Sequence, residues 1–199
     1  MKRTVSFVTA AALALAVPAF ASFSGGSKPE PSTPSSSSGG SSASSATPRE
    51  QAEQIYSQAY EDVAAAKKDL ADGKTKNAEK KLKRALSGGE RATSLDATYH
   101  EAWNLVGYTA RKLGDYDKAF AAYEKCLNIK PDYAPAREYL GEAWLEKGDA
   151  QKAHEQLTLL ESYGDRAADD AKTLRTAIEA YETAHAPAAA ASTNGGGTK

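Results

Sequence analysis

Residues 100–133 read HEAWNLVGYTARKLGDYDKAFAAYEKCLNIKPDY, and residues 134–167 read APAREYLGEAWLEKGDAQKAHEQLTLLESYGDRA. These two consecutive stretches of equal length decide the fold. Both carry a glycine at the eighth place and a Gly-Asp pair at the fifteenth and sixteenth places. A repeat of this period is typical of two short helices joined by a tight turn. The glycine of each pair can end the first helix in the left-handed conformation, and the aspartate can cap the second helix.

Apolar residues in this region follow the spacing of one helix face. Tyr116, Phe120 and Tyr123 stand at positions i, i+4 and i+7. Between residues 49 and 184 the chain contains only two prolines and is rich in alanine, leucine, lysine and glutamate, which favour helices. No segment alternates between apolar and polar residues as a half-buried strand does. The sequence therefore predicts an all-α fold.

The glycines at the eighth places, Gly107 and Gly141, fall in the middle of predicted helices. Glycine there costs about 1 kcal/mol relative to alanine. We expect close approach of the paired helix to compensate, with Ala119 and Ala153 offering small surfaces at the contact.

The two stretches resemble the tetratricopeptide repeat. In the first stretch the family's characteristic places are held by Trp103, Val106, Gly107, Ala110, Ala119, Tyr123, Cys126 and Pro131. In the second they are held by Arg137, Leu140, Gly141, Trp144, Ala153, Leu157, Leu160 and Asp165. The first departs from the family pattern at Ala110, and the second departs from it at Arg137 and Asp165. The resemblance implies a short right-handed α-solenoid with one concave face.

A degenerate unit precedes the two clear ones, because residues 78–86 look like residues 119–127. Seven extra residues around Ser87–Thr93 equal two helical turns, which predicts a longer second helix that Gly88-Gly89 could kink. Because a repeat cannot bury its apolar face alone, about three units and polar ends are needed.

We therefore predict about seven helices in a tetratricopeptide-repeat domain over residues 49–184. Its parts are a degenerate repeat at about 53–99, repeats at 100–133 and 134–167, and a C-terminal capping helix at 166–184.

The two ends of the chain predict export rather than a globular fold. Residues 1–21 combine a basic start, a short apolar run and small residues before Ala21, which is typical of a secretory signal peptide. The alternative is an uncleaved anchor, but the run is shorter than a membrane span of about 20 residues. Residues 22–48 contain 12 serines and are predicted to be a disordered linker, either a passive spacer or a glycosylated stalk. Residues 185–199 are predicted to be a flexible tail. We expect a bacterial exported protein that is periplasmic or secreted.

The composition argues against catalysis and cofactor binding. The formal charge is −1 and Cys126 is the single cysteine, so neither a disulfide framework nor a cysteine-only zinc site can form within one chain. Phosphate-binding loops, nucleophile elbows and zinc-binding helix motifs are absent from the sequence. His100, His154 and His185 are far apart in sequence and have no ligand at metal spacing, so we predict no cofactor, no metal and no enzymatic activity.

The resemblance also implies where a partner binds, because tetratricopeptide proteins present first-helix residues to the concave groove. Carried onto this sequence, the groove residues are Glu101, Asn104, Tyr108, Arg111, Lys112, Glu138, Glu142, Leu145 and Glu146. The three glutamates of the second unit are four residues apart and share one stripe, an arrangement that is locally unfavourable. A solvated face is the other interpretation of this stripe.

The predicted function is an exported, non-enzymatic scaffold or adaptor that binds a peptide or partner helix in the groove. The alternative is a periplasmic accessory chaperone or assembly factor for exported proteins. We expect a protein or peptide partner, no nucleic acid, and no stable membrane span after signal cleavage, because the balanced charge and the lack of aromatics among the basic residues argue against nucleic-acid binding. The sequence does not indicate an oligomeric state.

Overall fold

The computed structural model describes residues 46–186, and the predicted signal peptide, nearly all of the predicted linker and the tail from residue 187 lie outside this range. Within residues 46–186 the chain forms seven α-helices, one 3-10 turn and no strand. The helices are α1 Pro48–Ala71, α2 Thr75–Leu95, α3 His100–Lys112, α4 Tyr116–Ile129, α5 Ala134–Glu146, α6 Ala150–Ser162 and α7 Ala168–His185, with the 3-10 turn at Gly164–Ala167. The all-α class and the helix number are confirmed.

The first helix begins at the last residue of the predicted linker, because the chain caps it there. The Thr47 hydroxyl accepts a hydrogen bond from the Glu50 amide, and the Glu50 carboxylate accepts one from the Thr47 amide at 2.7 Å. This reciprocal pair satisfies two amides that would otherwise have no partner at the start of a helix. Pro48 follows the cap, where its missing N–H costs nothing.

The Gly-Asp pairs form the turns that the repeat pattern predicts. Gly114 and Gly148 have φ angles of +83° and +85°, which favour glycine because other side chains would be strained. Asp115 then accepts a hydrogen bond from the Lys118 amide at 3.2 Å, and Asp149 caps α6 in the same way. The two hairpins α3–α4 and α5–α6 therefore share one turn chemistry.

The longer second helix of the upstream unit is confirmed, but its two glycines do not interrupt it. Helix α2 has 21 residues where α4 has 14, and it runs without a break through Gly88 and Gly89. A Cβ atom on Gly88 would lie 2.7 Å from the Ala59 Cβ, and one on Gly89 would lie 2.9 Å from the Val106 Cγ2. The glycines therefore allow α1 and α3 to pack closely against α2.

Close approach also explains the two mid-helix glycines, although the partners differ from the predicted alanines. A Cβ on Gly107 would lie 2.5 Å from the Tyr123 ring, and one on Gly141 would lie 2.6 Å from a Leu174 methyl. Tyr123 belongs to the paired helix α4, as expected, whereas Leu174 belongs to α7 in the next unit. Large side chains, and not Ala119 or Ala153, make the closest contacts, because they fill the space that glycine leaves.

The helices form two layers, which defines the faces of the stack. The first helices of successive units contact one another, α1 with α3, α3 with α5 and α5 with α7. Among the described helices no backbone packing of this kind joins α2 to α4 or α4 to α6. The first helices therefore form a continuous inner layer, and we call its open side the first-helix face. Between residues 46 and 186 no helix combines the length and apolar character needed to cross a membrane.

Candidate functional site

All nine residues of the predicted groove lie on α3 and α5, but they differ widely in exposure. Lys112 and Glu146 are exposed, and Glu101, Asn104 and Glu142 are half-buried. The remaining four, Tyr108, Arg111, Glu138 and Leu145, are buried. Four of the nine predicted groove residues are therefore covered by their neighbours instead of being open to a partner.

Leu145 is part of the hydrophobic core. Its exposure is 7%, and it packs in one cluster with Leu157, Leu160 and Leu174 from α6 and α7. The structure thus places Leu145 inside the stack and not on the first-helix face, because this side chain points toward the neighbouring helices instead of the opening.

The buried cation Arg111 is the centre of the predicted site. Its side chain is 1% exposed, and its guanidinium contacts Glu142 at 2.5 Å and Glu146 at 2.9 Å. Burial alone would lower the pKa of Arg111, but these two carboxylates outweigh it and raise the pKa above its usual range. Two glutamates of the acidic stripe are therefore neutralised by an arginine from the preceding repeat, and this pairing explains a stripe that is unfavourable in an isolated helix.

Two tyrosine rings complete the surroundings of this cation. The guanidinium carbon of Arg111 lies 5.7 Å from the ring centroids of both Tyr108 and Tyr139, and the two rings are 5.1 Å apart. Lys67 reaches over from α1 and places its ammonium 5.0 Å from the Tyr108 ring, while Lys112 lies at 5.8 Å. Such contacts between cations and aromatic faces are attractive. They bring α1, α3 and α5 together at one end of the first-helix face.

Glu138, the third glutamate, pairs with another carboxyl group rather than with a cation. It is 8% exposed, and its carboxyl group faces that of Asp170 on α7. Burial, the charge of Glu142 and the neighbouring carboxyl group of Asp170 raise the pKa of Glu138 to about 9, and burial also raises the pKa of Asp170. At neutral pH the Glu138 carboxyl group therefore holds a proton, because a buried carboxylate beside a second acidic group is disfavoured.

Polar atoms without partners lie on α3 toward the other end of the face. The Oδ1 atom of Asn104 and the Oε2 atom of Glu101 are buried, and neither has a hydrogen-bond donor among the described residues. Glu101 Oε2 lies 2.9 Å from the His100 Nδ1 atom, but the contact lacks hydrogen-bond geometry. Burial lowers the pKa of His100, so this ring is neutral near pH 7 and forms no ion pair there. Both oxygens are closed to solvent, so a bound molecule can donate to them only if the half-buried side chains of Asn104 and Glu101 turn outward.

Sequence reasoning missed three side chains that build this site, Lys67, Tyr139 and Asp170. Each belongs to a different first helix from the residue that it contacts, so no spacing within one helix indicates it. The repeat period could have indicated one of these contacts, because Asp170 follows Glu138 in the sequence by nearly one repeat length.

Cys126 and the three histidines are engaged in packing or surface contacts. Cys126 is fully buried, and burial raises the pKa of its thiol to about 12, so it carries no thiolate at neutral pH. His100 packs edge-on against Tyr133, His154 contacts Glu182 at 2.8 Å, and His185 stacks on a tyrosine of its own helix.

Comparison with known proteins identifies the hairpin that carries most of these residues. Residues 100–133 match the tetratricopeptide repeat family. The match spans α3, α4 and the loop after them, so the family pattern and the helical hairpin coincide. No curated protein matches the chain. Among solved structures, the crystal structure of MamA matches 61% of this chain and 89% of its own, with 22% identity and a TM-score of 0.39.

Proposed function

We propose that this chain is an exported, non-enzymatic scaffold that binds a peptide or helix of another protein on its first-helix face. The tetratricopeptide match to α3 and α4 and the stacking of further hairpins on both sides support a protein-interaction role. The buried, protonated thiol of Cys126 argues against thiol nucleophile chemistry.

The unpartnered acceptors Asn104 and Glu101 carry this proposal. A buried oxygen without a donor costs free energy, and a partner that draws the half-buried side chain outward and donates to its oxygen removes this cost. At the far end of α3, the exposed side chains of Lys67 and Lys112 offer the opposite chemistry. A peptide that presents donors to one end of the face and an acidic group to the other end fits this arrangement.

The alternative, a periplasmic accessory chaperone or assembly factor that holds many unfolded clients, requires exposed apolar surface on the same face. The floor around Arg111 is instead occupied by ion pairs and by tyrosine rings that contact cations. This chemistry favours one partner of defined shape and charge over many clients.

The test compares two double variants that each change one amide and one exposed lysine. Asn104→Ala with Lys112→Glu alters the first-helix face, and Asn77→Ala with Lys125→Glu makes the same chemical change on α2 and α4. In pull-downs from envelope extract, followed by affinity measurement on the recovered partner, we expect about tenfold weaker binding for the first variant, since it removes one hydrogen bond and reverses one charge. The control should bind like the wild type. Equal binding by both variants would falsify the groove assignment.

Export is the second part of the proposal, and the N-terminal pattern of residues 1–21 supports it. Cell fractionation followed by mass determination of the intact chain tests it. We expect a chain in the envelope or medium that begins at Ser22. A full-length chain recovered from the cytoplasm contradicts export without affecting the binding proposal.

A further inference from the structure

A second groove lies on the outer side of the stack, away from the first-helix face. Helices α4 and α6 form its walls and α5 forms its floor, enclosing about 490 Å³. Its apolar lining comes from Phe120 and Leu127 on α4 and from Leu140 and Trp144 on α5, all half-buried. The Phe120 and Trp144 rings are stacked with their centroids 4.1 Å apart.

The preceding repeat shows that this opening is not a general property of the stack. Val106 and Ala110 stand one repeat before Leu140 and Trp144, and they are 3% and 0% exposed. There the backbone of α2 approaches α3 closely at Gly89. The Lys118 ammonium on α4 contacts the Glu90 carboxylate on α2 at 2.7 Å and bridges the two walls. One outer junction is closed, whereas the junction one repeat later leaves two aromatic rings partly exposed.

Exposed aromatic surface with a polar rim is typical of a binding site. Contact with water is unfavourable for large apolar side chains. Contiguous apolar patches on a surface therefore mark sites of interaction. Tryptophan is enriched among the residues that dominate binding energy at interfaces. Lys152 places its ammonium 3.9 Å from the Trp144 centroid and covers one side of the ring, but the same ammonium is also held by Asp149 at 3.1 Å.

The charges on the rim indicate the chemistry of the occupant. Glu124 on α4 and Glu155 on α6 stand on opposite walls, both exposed, and neither has an ion-pair partner between residues 46 and 186. The two carboxylates stand on either side of the apolar floor of the groove. A partner that carries basic side chains on both flanks of an apolar stripe complements this arrangement.

The walls also indicate the secondary structure of the occupant. Both walls are helices, whose backbone groups are engaged in their own hydrogen bonds. An extended segment would find no ladder of main-chain partners there, whereas a helix satisfies its own backbone groups and needs only side-chain contacts. We propose that the groove between α4 and α6 binds an amphipathic helix of a partner protein, with large apolar residues one turn apart against Phe120 and Trp144 and with Lys or Arg facing Glu124 and Glu155.

The experiment uses calorimetric titration of the purified protein with synthetic helices of about 18 residues, five helical turns. The probe carries leucine and phenylalanine at i, i+3, i+4 and i+7 with lysine on both flanks. Three further peptides replace lysine with glutamate, scramble the apolar stripe, or break the helix with a central proline. We expect saturable one-to-one binding of the probe and at least about tenfold weaker binding of the other three, which each lose one element of complementarity.

Two variants of the protein test the location without removing a core side chain. Ala121→Arg fills the groove from an exposed alanine of its α4 wall, and Glu124→Lys with Glu155→Lys reverses the rim charge. Their controls make the same changes elsewhere, Ala180→Arg on α7 and Glu61→Lys with Glu179→Lys. We expect both groove variants to weaken probe binding by about tenfold or more and both controls to leave it unchanged.

Four kinds of result would overturn the proposal. They are no binding of the probe at millimolar concentration, equal or tighter binding of any of the other three peptides, unchanged probe binding in both groove variants, and loss of probe binding in the first-helix variant Asn104→Ala with Lys112→Glu. The last result assigns the helix to the first-helix face, so failure here is distinguishable from failure of the proposed function.

Discussion

The repeats at 100–133 and 134–167 share one backbone pattern, but they place polar and apolar residues differently at equivalent positions. Arg111 and Leu145 occupy the same place in the two units, and both are buried, yet one is a charged centre and the other is part of the core. On the outer side the earlier unit is closed over Ala110, and the later unit is open at Trp144. The repeat pattern therefore decides which places are buried, and the residue at each place decides whether burial needs a partner.

The largest effect should come from removing the partners of Arg111. We expect Glu142→Gln with Glu146→Gln to cost about 3–5 kcal/mol of unfolding free energy, because it leaves a buried cation without compensation. Urea denaturation followed by circular dichroism measures this. Glu124→Gln with Glu155→Gln removes two exposed carboxylates on the rim of the outer groove and should change stability by less than about 0.5 kcal/mol. Similar losses in both pairs of variants would mean that Arg111 does not depend on its carboxylates.

The carboxyl pair of the later unit predicts a dependence on pH. The pKa of Glu138 is raised in the fold, so the folded state holds a proton that the unfolded chain releases above its ordinary pKa. This contribution to stability is complete below the unfolded pKa and is lost as the pH rises toward about 9. Between pH 5 and 8 the wild type should lose about 2–4 kcal/mol more than Glu138→Gln, which has no such proton to release.

Urea denaturation at a series of pH values measures this difference. Glu155→Gln, on the exposed rim of the outer groove, should follow the wild type. If the unfolding free energies of the wild type and Glu138→Gln change with pH in the same way, the raised pKa of Glu138 is contradicted.

The eighth-place glycines offer a further comparison between the units. Gly107→Ala should destabilise the protein by about 1–3 kcal/mol, because the new methyl meets the fully buried Tyr123 ring. Gly141→Ala should cost less, since its methyl meets the branched end of the fully buried Leu174 side chain, which is smaller than a tyrosine ring. Thermal unfolding of the two variants checks the order. Equal or reversed losses would show that the aromatic ring yields as easily as the leucine.

The smallest effect should come from the ion pair that spans the closed outer junction. Lys118→Met removes the contact with Glu90, and we expect a loss below about 1 kcal/mol because both side chains are largely exposed. The junction should stay closed, since the packing of Gly89 on Val106 remains. Hydrogen exchange of the α3 amides measures this. Strongly faster exchange there would show that the ion pair, and not the backbone packing, closes the junction.

Much of the fold could be predicted because it depends on local chemistry. The repeat period, the Gly-Asp turns and the longer α2 all come from short stretches whose conformational preferences do not need distant partners. The partners of Gly107 and Gly141 could not be predicted in the same way. Which side chain fills the space over a glycine depends on the angle at which two helices cross, and that angle is set by the whole interface.

The candidate site was harder to predict than the fold, for the same reason. The family resemblance indicated α3 and α5, but it could not show that Arg111 reaches Glu142 from another unit or that the carboxyl group of Asp170 faces that of Glu138. Leu145 shows the limit clearly. Leu145 stands at the same place in its repeat as Arg111. Because that place holds a charged residue in the earlier repeat, the sequence predicts an accessible residue in the later one, and only the surrounding core shows that Leu145 is buried.

The central claim is that the buried charge of Arg111 is compensated by the carboxylates of Glu142 and Glu146. Replacing the unpaired arginine in a variant without these carboxylates tests this claim most directly. The variant Glu142→Gln with Glu146→Gln is compared with the same variant carrying Arg111→Leu, the residue of the later repeat at this place. If the buried charge causes the loss, adding leucine should restore about 2 kcal/mol or more of the unfolding free energy. A further loss on adding Arg111→Leu would contradict the claim and would show that the guanidinium is stable there without its partners.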